Sequence, residues 1–185
     1  MALHTCPWWL GFGLASPFRR LFYNPRAMLQ PFVRPGMTVL EPGPGMGFFT
    51  IELARLTGQG GRVVAVDIQR QMLEGLKRRA VRSGVADRIE PRLADATEMP
   101  VQDLKGRVDF ILAFAMVHEL PDAGKFFKDA IKTLTPEGRL LISEPSWHVR
   151  AEDFRRSLEL AEAAGFSVES EPKISHNRSA LLERA

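Results

Sequence analysis

Short apolar stretches alternate with longer amphipathic stretches from about residue 37 to the end of the chain. The apolar stretches are rich in β-branched residues and predict strands, of which the first five lie at 38–41, 62–67, 89–94, 108–114 and 139–143. The amphipathic stretches predict helices that end near a glycine or a proline, at 48–56, 72–82, 122–134 and 152–164. This alternation is typical of an α/β fold with a parallel sheet, and continuously apolar strands predict burial on both faces.

The pattern changes after Gly165. Two strand-like stretches, 166–170 and 179–183, follow with only a turn-rich segment between them. Strands so close along the chain pair as an antiparallel hairpin, because a parallel crossover needs a dozen or more residues. The sequence therefore predicts a sheet that is parallel except at its C-terminal end.

A segment rich in Trp, Phe, Pro and Arg precedes the alternating pattern. At ~150 residues per domain, the 185 residues leave room for one domain. We expect an accessory arm at 1–35, with a helix at 25–33, and the main domain at 36–185. The aromatic residues of the arm predict either cover for the core or a lid over an apolar ligand; they are Trp8, Trp9, Phe12, Phe18, Phe22 and Tyr23.

Composition and charge narrow the classes of protein. Hydrophobic residues make up 45% and charged residues 25% of the chain, as in a globular protein. The net charge of +3 comes from 25 basic and 22 acidic residues spread along the chain, which disfavours nucleic acid as a partner. No apolar stretch reaches the ~18 residues of a membrane span. Cys6 is the single cysteine and the first residues lack a secretory signal, which predicts a cytoplasmic protein.

A glycine-rich loop joins the first predicted strand to the first predicted helix. Its glycines, Gly43, Gly45 and Gly47, let a ligand contact bare backbone, although the loop could also be only a tight turn. The third glycine comes one residue too early for the G-x-G-x-x-G loop that binds nicotinamide dinucleotides. Glu41, two residues before the first glycine, suits a cationic ligand that carries an amino group. The loop therefore favours a sulfonium amino acid as ligand.

Two aspartates follow the next two strands. Asp67 ends the second predicted strand, where an acidic side chain can bind the hydroxyls of a ribose. Asp95 ends the third, where a carboxylate can accept a hydrogen bond from an adenine amino group. Either residue alone could be a helix cap or a turn residue. Together with the loop they indicate one adenosine-containing ligand.

At this point the chain resembles the class I S-adenosylmethionine-dependent methyltransferases, of the group that includes quinone-biosynthesis C-methyltransferases and arsenite methyltransferases. The resemblance covers residues 37 to about 145 and includes the stretches 109–114 and 134–141 besides the loop and the two aspartates. It implies S-adenosylmethionine as cofactor and a Rossmann-like doubly wound sheet of seven strands, mostly parallel with a reversed last strand and helices on both faces. Glu41 stands where the family usually has aspartate, and Glu137 where it usually has glycine.

The resemblance also implies which residues bind the cofactor. The loop would lie against its methionine part, Asp67 would hold the ribose, and the remaining residues would surround the adenine or line the site. The complete set is Glu41, Gly43, Gly45, Gly47, Asp67, Ile68, Met72, Asp95, Ala96 and Phe114.

The methyl acceptor should meet the loops after the fourth and fifth strands, because ligands bind beyond the carboxyl ends of such strands. His118 is the candidate general base, since its ordinary pKa lies near neutrality; it could also be a cap or packing residue. Glu119, Glu144 and His148 are candidate acceptor contacts, with a plain surface loop as the alternative. These four residues lack the spacing of a metal site, so we predict no metal.

We expect a small-molecule acceptor and a homodimer in which the arm or a second subunit closes the acceptor site. The lone Cys6 argues against arsenite, whose methyltransferases use several thiols, and no Asn-Pro-Pro-Tyr-like tetrapeptide follows the fourth strand, which argues against a nucleic-acid base. Two alternatives to the enzyme stay open from the sequence. One is a non-catalytic S-adenosylmethionine-binding protein with a regulatory or assembly role, and the other is a nicotinamide-dependent oxidoreductase.

Overall fold

The computed structural model describes residues 23–95 and 98–185, which fall into two compact units. One unit contains the described residues up to Pro100, and the other runs from Val101 to Ala185. Most of the aromatic arm lies outside the described residues. Its last member, Tyr23, packs edge to face on Phe49, with the ring centroids 6.5 Å apart.

The first unit contains three parallel strands in the order β3-β2-β1. They are β1 (Thr38–Pro42), β2 (Arg62–Asp67) and β3 (Ile89–Leu93). Its helices are α1 (Pro25–Leu29), α2 (Thr50–Thr57) and α3 (Arg70–Arg82). All three strands lie within one residue of their predicted bounds.

Two details of this unit differ from the sequence prediction. Helix α1 ends at Leu29 rather than at Val33, because Pro31 has no N–H to donate to the preceding turn. The prediction that every strand is buried on both faces is wrong for β3, whose residues are half-buried or exposed. β3 is the outer strand of the order, and Pro91 is tolerated at such an edge.

The second unit contains four strands in the order β4-β5-β7-β6. They are β4 (Val108–Phe114), β5 (Leu134–Pro145), β6 (Phe166–Ser170) and β7 (Asn177–Arg184). Its helices are α4 (Ala123–Thr133) and α5 (Ala151–Ala163). β4 and β5 are parallel, whereas β7 runs antiparallel to both β5 and β6. The predicted C-terminal hairpin is therefore confirmed.

Strand β5 begins five residues earlier than predicted, at Leu134 rather than Arg139. Leu134 is buried and pairs with Val108 of β4, and a register shift follows before Phe110 pairs with Arg139. A side chain at Gly138 would lie only 2.8 Å from the carbonyl oxygen of Val108, so glycine permits the close approach of the two strands. The strand therefore begins before a segment whose sequence indicates a turn, and pairing with β4 resumes after it.

The predicted fold class is confirmed: the chain is α/β and Rossmann-like, and its described residues form seven strands that are mostly parallel, with a reversed last strand. Across residues 23–95 and 98–185, the helices are all too short or too polar to cross a lipid bilayer.

Candidate functional site

The glycine-rich loop links β1 to α2, and all three of its glycines adopt left-handed backbone angles. The φ angles of Gly43, Gly45 and Gly47 are 67°, 54° and 84°, which residues with a side chain rarely adopt. A Cβ atom on Gly45 would have no described heavy atom within 4 Å, its chain neighbours aside, whereas one on Gly47 would lie 2.4 Å from Cδ1 of Leu76. Gly45 therefore borders open space that a ligand can enter, and Gly47 is where the protein packs against the loop.

Asp67 lies at the carboxyl end of β2 and is 8% exposed. Its Oδ1 accepts a hydrogen bond of 2.9 Å from the backbone N–H of Gln69, which fixes the carboxylate at the start of the turn into α3. The next residue, Ile68, leaves 46% of its surface exposed, while Met72 in the first turns of α3 is buried. An anionic acceptor beside an exposed apolar side chain is suited to a ribose and the base attached to it.

Glu41 and Asp95 occupy very different surroundings. Glu41 is 3% exposed within β1, two residues before the loop. Asp95 is exposed, and its Oδ1 accepts a hydrogen bond of 2.7 Å from the N–H of Glu98, so it shapes the turn after β3. Ala96 lies outside the described residues, and the adenine contact assigned to this turn stays a prediction.

The second unit brings a histidine and a buried glutamate together. His118 lies in a 3₁₀ turn, Val117–Glu119, which follows β4, and Glu144 lies near the end of β5. The Nδ1 atom of His118 is 2.6 Å from Oε2 of Glu144, and Oε1 of Glu144 accepts a hydrogen bond of 2.8 Å from the N–H of Val117. Glu144 is 1% exposed, so both oxygens of a buried carboxylate serve the turn that carries the histidine.

Backbone geometry at the end of β4 supports this arrangement. Phe114 is largely buried and pairs with Ser143, and the N–H of Ala115 donates to the carbonyl of Ser143 over 2.8 Å. Ala115 has a φ of 53°, a strained angle for a residue with a side chain. The chain therefore turns sharply out of β4 and places Val117 and His118 over Glu144.

The surroundings of His118 act on its pKa in opposite directions. Burial of the ring lowers the pKa, but the hydrogen bond and the negative charge of Glu144, helped by the charge of Glu119, outweigh that effect. The pKa of His118 is consequently raised above its ordinary value of 6.5. A carboxylate that stabilises the imidazolium has the same effect in other buried His–carboxylate pairs.

The other two predicted acceptor residues lie beside this pair. Oε1 of Glu119 is 4.0 Å from Nε2 of His118. The ring of His148 meets the ring of His118 edge to face, with the centroids 4.9 Å apart. Trp147, which is 80% exposed, lies next to His148 at 5.5 Å. The structure therefore gathers His118, Glu119, Glu144 and His148, although no cluster of three or more His, Cys, Asp or Glu side chains arranged to hold a metal occurs in the described part of the chain.

Comparison with known proteins decides the family. The family model described as a methyltransferase domain matches residues 34–179. The chain belongs to this methyltransferase family. The predicted methyltransferase family is thereby confirmed, S-adenosylmethionine is the cofactor that this family implies, and a nicotinamide-dependent oxidoreductase is disfavoured.

Curated relatives of this methyltransferase domain act on different molecules. The arsenite methyltransferase of Halobacterium salinarum is 31% identical over 65% of the chain, which spans 30% of that protein. The ubiquinone/menaquinone biosynthesis C-methyltransferase UbiE of Brucella anthropi is 31% identical over 64% of the chain, which spans 44% of that protein. The chain thus spans less than half the length of these curated relatives.

A solved methyltransferase structure matches nearly the whole chain. The S-adenosylmethionine-dependent methyltransferase from Aquifex aeolicus aligns with 96% of this chain and 98% of its own length, at a TM-score of 0.85 and 24% identity. This likeness confirms the Rossmann-like methyltransferase fold.

Proposed function

We propose that this chain transfers a methyl group from S-adenosylmethionine to a small-molecule acceptor, and that His118 is the base that removes a proton from the acceptor. The observation that carries the proposal is the buried contact between His118 and Glu144, at 2.6 Å. A methyltransferase that had only to align its reactants would not need a histidine held in this way.

The first unit offers residues that fit the cofactor. The open space beside Gly45 leaves room against bare backbone, and the buried Asp67 with the exposed Ile68 is suited to a ribose and its base. When bound, S-adenosylmethionine supplies a methyl group on a positively charged sulfur. The residues of the first unit proposed to hold it are Glu41, Gly43, Gly45, Gly47, Asp67, Ile68, Met72 and Asp95. The roles of Ala96, outside the described residues, and of Phe114, in the second unit, stay predictions.

The pair of His118 and Glu144 fixes where the histidine can take up a proton. A carboxylate can only accept hydrogen bonds, so Nδ1 carries the hydrogen that faces Glu144. The lone pair of the neutral ring is then on Nε2, and Nε2 is the atom that would take a proton from the acceptor. The imidazolium formed in that step is stabilised by the buried carboxylate, as in other His–carboxylate pairs.

Glu144 has a different role in this proposal from the acceptor contact that the sequence predicts. Its side chain is buried, and both of its oxygens are engaged by the turn Val117–Glu119. We assign it the positioning of His118, and leave Glu119 and the exposed His148 as the candidate contacts to the acceptor. The small-molecule nature of the acceptor, the homodimer and the cytoplasmic location stay predictions.

Substitution of His118 by alanine tests the proposed base. Because general base catalysis contributes ~10²–10⁴-fold, we expect His118→Ala to lower turnover by about that factor. The acceptor is first identified in a screen of small molecules with S-adenosylmethionine labelled in its methyl group. Binding of S-adenosylmethionine should change little, because the residues proposed to hold the cofactor are intact.

His176→Ala is the matched control, since His176 is an exposed histidine in the turn before β7. It should keep full turnover. Full turnover by folded His118→Ala with the identified acceptor would contradict the proposed base and leave alignment of the reactants as the source of the rate.

A further inference from the structure

Helix α3 contains a glycine that helix formation does not explain. Gly75 lies in the middle of Arg70–Arg82, where glycine is a poorer helix former than alanine. A Cβ atom there would lie 2.8 Å from Cγ and 3.0 Å from Sδ of Met46, a residue of the glycine-rich loop. The side chain of Met46, 5% exposed, therefore fills the place that a side chain at position 75 would take.

The neighbouring residue of α3, Leu76, also packs against the loop. Cδ1 of Leu76 is 2.4 Å from the place where a Cβ atom on Gly47 would lie. At both Gly75 and Gly47, a side chain of the other segment thus fills the space that a Cβ atom would take. A Cβ atom at Gly75 would displace Met46, and one at Gly47 would displace Leu76.

A side chain one turn further along α3 adds a polar contact. The guanidinium of Arg79 donates a hydrogen bond of 3.2 Å from Nη1 to the backbone carbonyl of Met46. Met46 lies between Gly45 and Gly47, both of which have positive φ angles. Because glycine is conformationally permissive, contacts from elsewhere in the chain help to keep this segment in one arrangement. Arg79 holds one peptide of this segment directly.

We propose that Gly75 and Arg79 are positioning residues for the cofactor, and that they act by fixing the conformation of the segment 45–47. Gly75 gives the side chain of Met46 its place on α3, and Arg79 fixes the carbonyl of the same residue. Neither needs to contact the cofactor. The inference rests on the proposed placement of S-adenosylmethionine at this loop.

The test measures cofactor affinity and stability separately in the full chain. Gly75→Ala adds the displacing Cβ, and Arg79→Met removes the donor but keeps the length of the side chain. The dissociation constant of S-adenosylmethionine is measured by calorimetry and the melting temperature by circular dichroism without ligand. We expect Arg79→Met to weaken binding about tenfold, which corresponds to the loss of roughly one hydrogen bond. Gly75→Ala should weaken binding to a similar extent, because the new Cβ displaces the side chain of Met46. With an acceptor in hand, KM for S-adenosylmethionine should rise while kcat changes little.

Two matched variants separate positioning from general damage. Arg78→Met alters an exposed arginine of the same helix and should leave affinity unchanged. The double variant Gly75→Ala/Met46→Ala removes the atoms that the new Cβ displaces, so its affinity should return to that of Met46→Ala alone. Arg79→Lys, which keeps a donor, should bind more tightly than Arg79→Met.

The measured affinities distinguish a failure of this inference from a failure of the proposed cofactor site. If folded Gly75→Ala and Arg79→Met both bind S-adenosylmethionine as the parent does, and differ from it only in melting temperature, the two residues are structural and the inference is overturned. If Gly45→Val also binds normally, the loop is not the cofactor site and the placement itself is wrong. Should Gly75→Ala not fold, Arg79→Met alone decides between these results.

Discussion

Replacement of Glu144 by glutamine tests the link between the buried carboxylate and the chemistry of His118. The side chain keeps its size but loses its charge, and an amide offers one acceptor oxygen where the carboxylate offers two. Two N–H groups, those of Val117 and of His118 Nδ1, compete for that oxygen. If Val117 retains it, the amide NH₂ faces Nδ1, and the ring must change to the tautomer that carries its hydrogen on Nε2.

The expected size of the effect follows from the contacts in the structure. A hydrogen bond to a charged group contributes ~1.5–3 kcal/mol, and one pKa unit corresponds to about 1.4 kcal/mol. Loss of the Glu144 charge should therefore lower the pKa of His118 by about one to two units relative to the parent. Burial of the ring persists in the variant and also lowers the pKa, so the pKa of His118 should fall relative to the parent.

The assay is a titration of the imidazole protons by nuclear magnetic resonance. The chain has four histidines, and the spectrum of His118→Ala identifies the signal of interest. Glu119→Gln is the control, because that carboxylate lies 4.0 Å from Nε2 and acts through its charge, so its loss should lower the pKa of His118 less. An unchanged or higher pKa in Glu144→Gln would refute the reasoning, as would a larger effect in Glu119→Gln.

Three further substitutions test other parts of the molecule. Asp67→Ala should weaken the binding of S-adenosylmethionine by ~1.5–3 kcal/mol, because the ribose loses a charged acceptor. Unchanged affinity by calorimetry would remove Asp67 from the site. Gly45→Val should abolish binding of S-adenosylmethionine in a folded protein. Gly84→Val is the control, because Gly84 has a similar φ of 66° and also borders open space; it should bind normally and shows the effect of backbone strain alone. Burial raises the pKa of Asp129, but hydrogen bonds and charges from two lysines of α4 outweigh it and hold the pKa below 3.8. Asp129→Asn should therefore lower the free energy of unfolding, measured by urea titration, above pH 3.8. The loss should become smaller as the pH falls through the folded-state pKa of Asp129.

The sequence predicts the strands well because their signal is local. The apolar β-branched stretch 62–67 has the same bounds in the structure, and its valines are buried in the sheet as the pattern predicts. The start of β5 is predicted wrongly because its pairing depends on contact with β4. Pro136 and Gly138 indicate a turn locally, and only the partner strand shows that glycine is there to permit a close approach.

The glycine-rich loop shows a similar limit. Its position and its three glycines are evident from the sequence, and all three prove to need positive φ angles. The sequence gives no sign that Gly45 borders open space while Gly47 faces Leu76. Nor does it indicate Gly75 and Arg79, because their partner Met46 lies about thirty residues away along the chain. Contacts between distant segments leave no periodic signal in either one.

Glu144 illustrates how a residue can be found from the sequence while its role is not. Its place at the end of a strand marks it as a polar residue of the candidate site, but burial and hydrogen-bond partners are properties of the folded chain. Only the parallel register of β4 and β5 brings it under the turn with His118. A side chain that is 1% exposed with both oxygens engaged is better suited to holding a base than to meeting a substrate.

The same contact gives His118 opposite effects on stability and on reactivity as the pH changes. Because its pKa in the folded protein is raised above 6.5, its ion pair stabilises the fold fully below that pH, and this contribution is lost as the pH rises through the folded-state pKa. A general base must be neutral to accept a proton, so the reactive form accumulates over the range in which the stabilisation disappears. A stronger contact with Glu144 would make His118 a better proton acceptor, but a smaller fraction of His118 would then be neutral at a given pH. The burial of the ring, which lowers the pKa, therefore offsets part of the effect of Glu144 and keeps the neutral form accessible closer to neutrality.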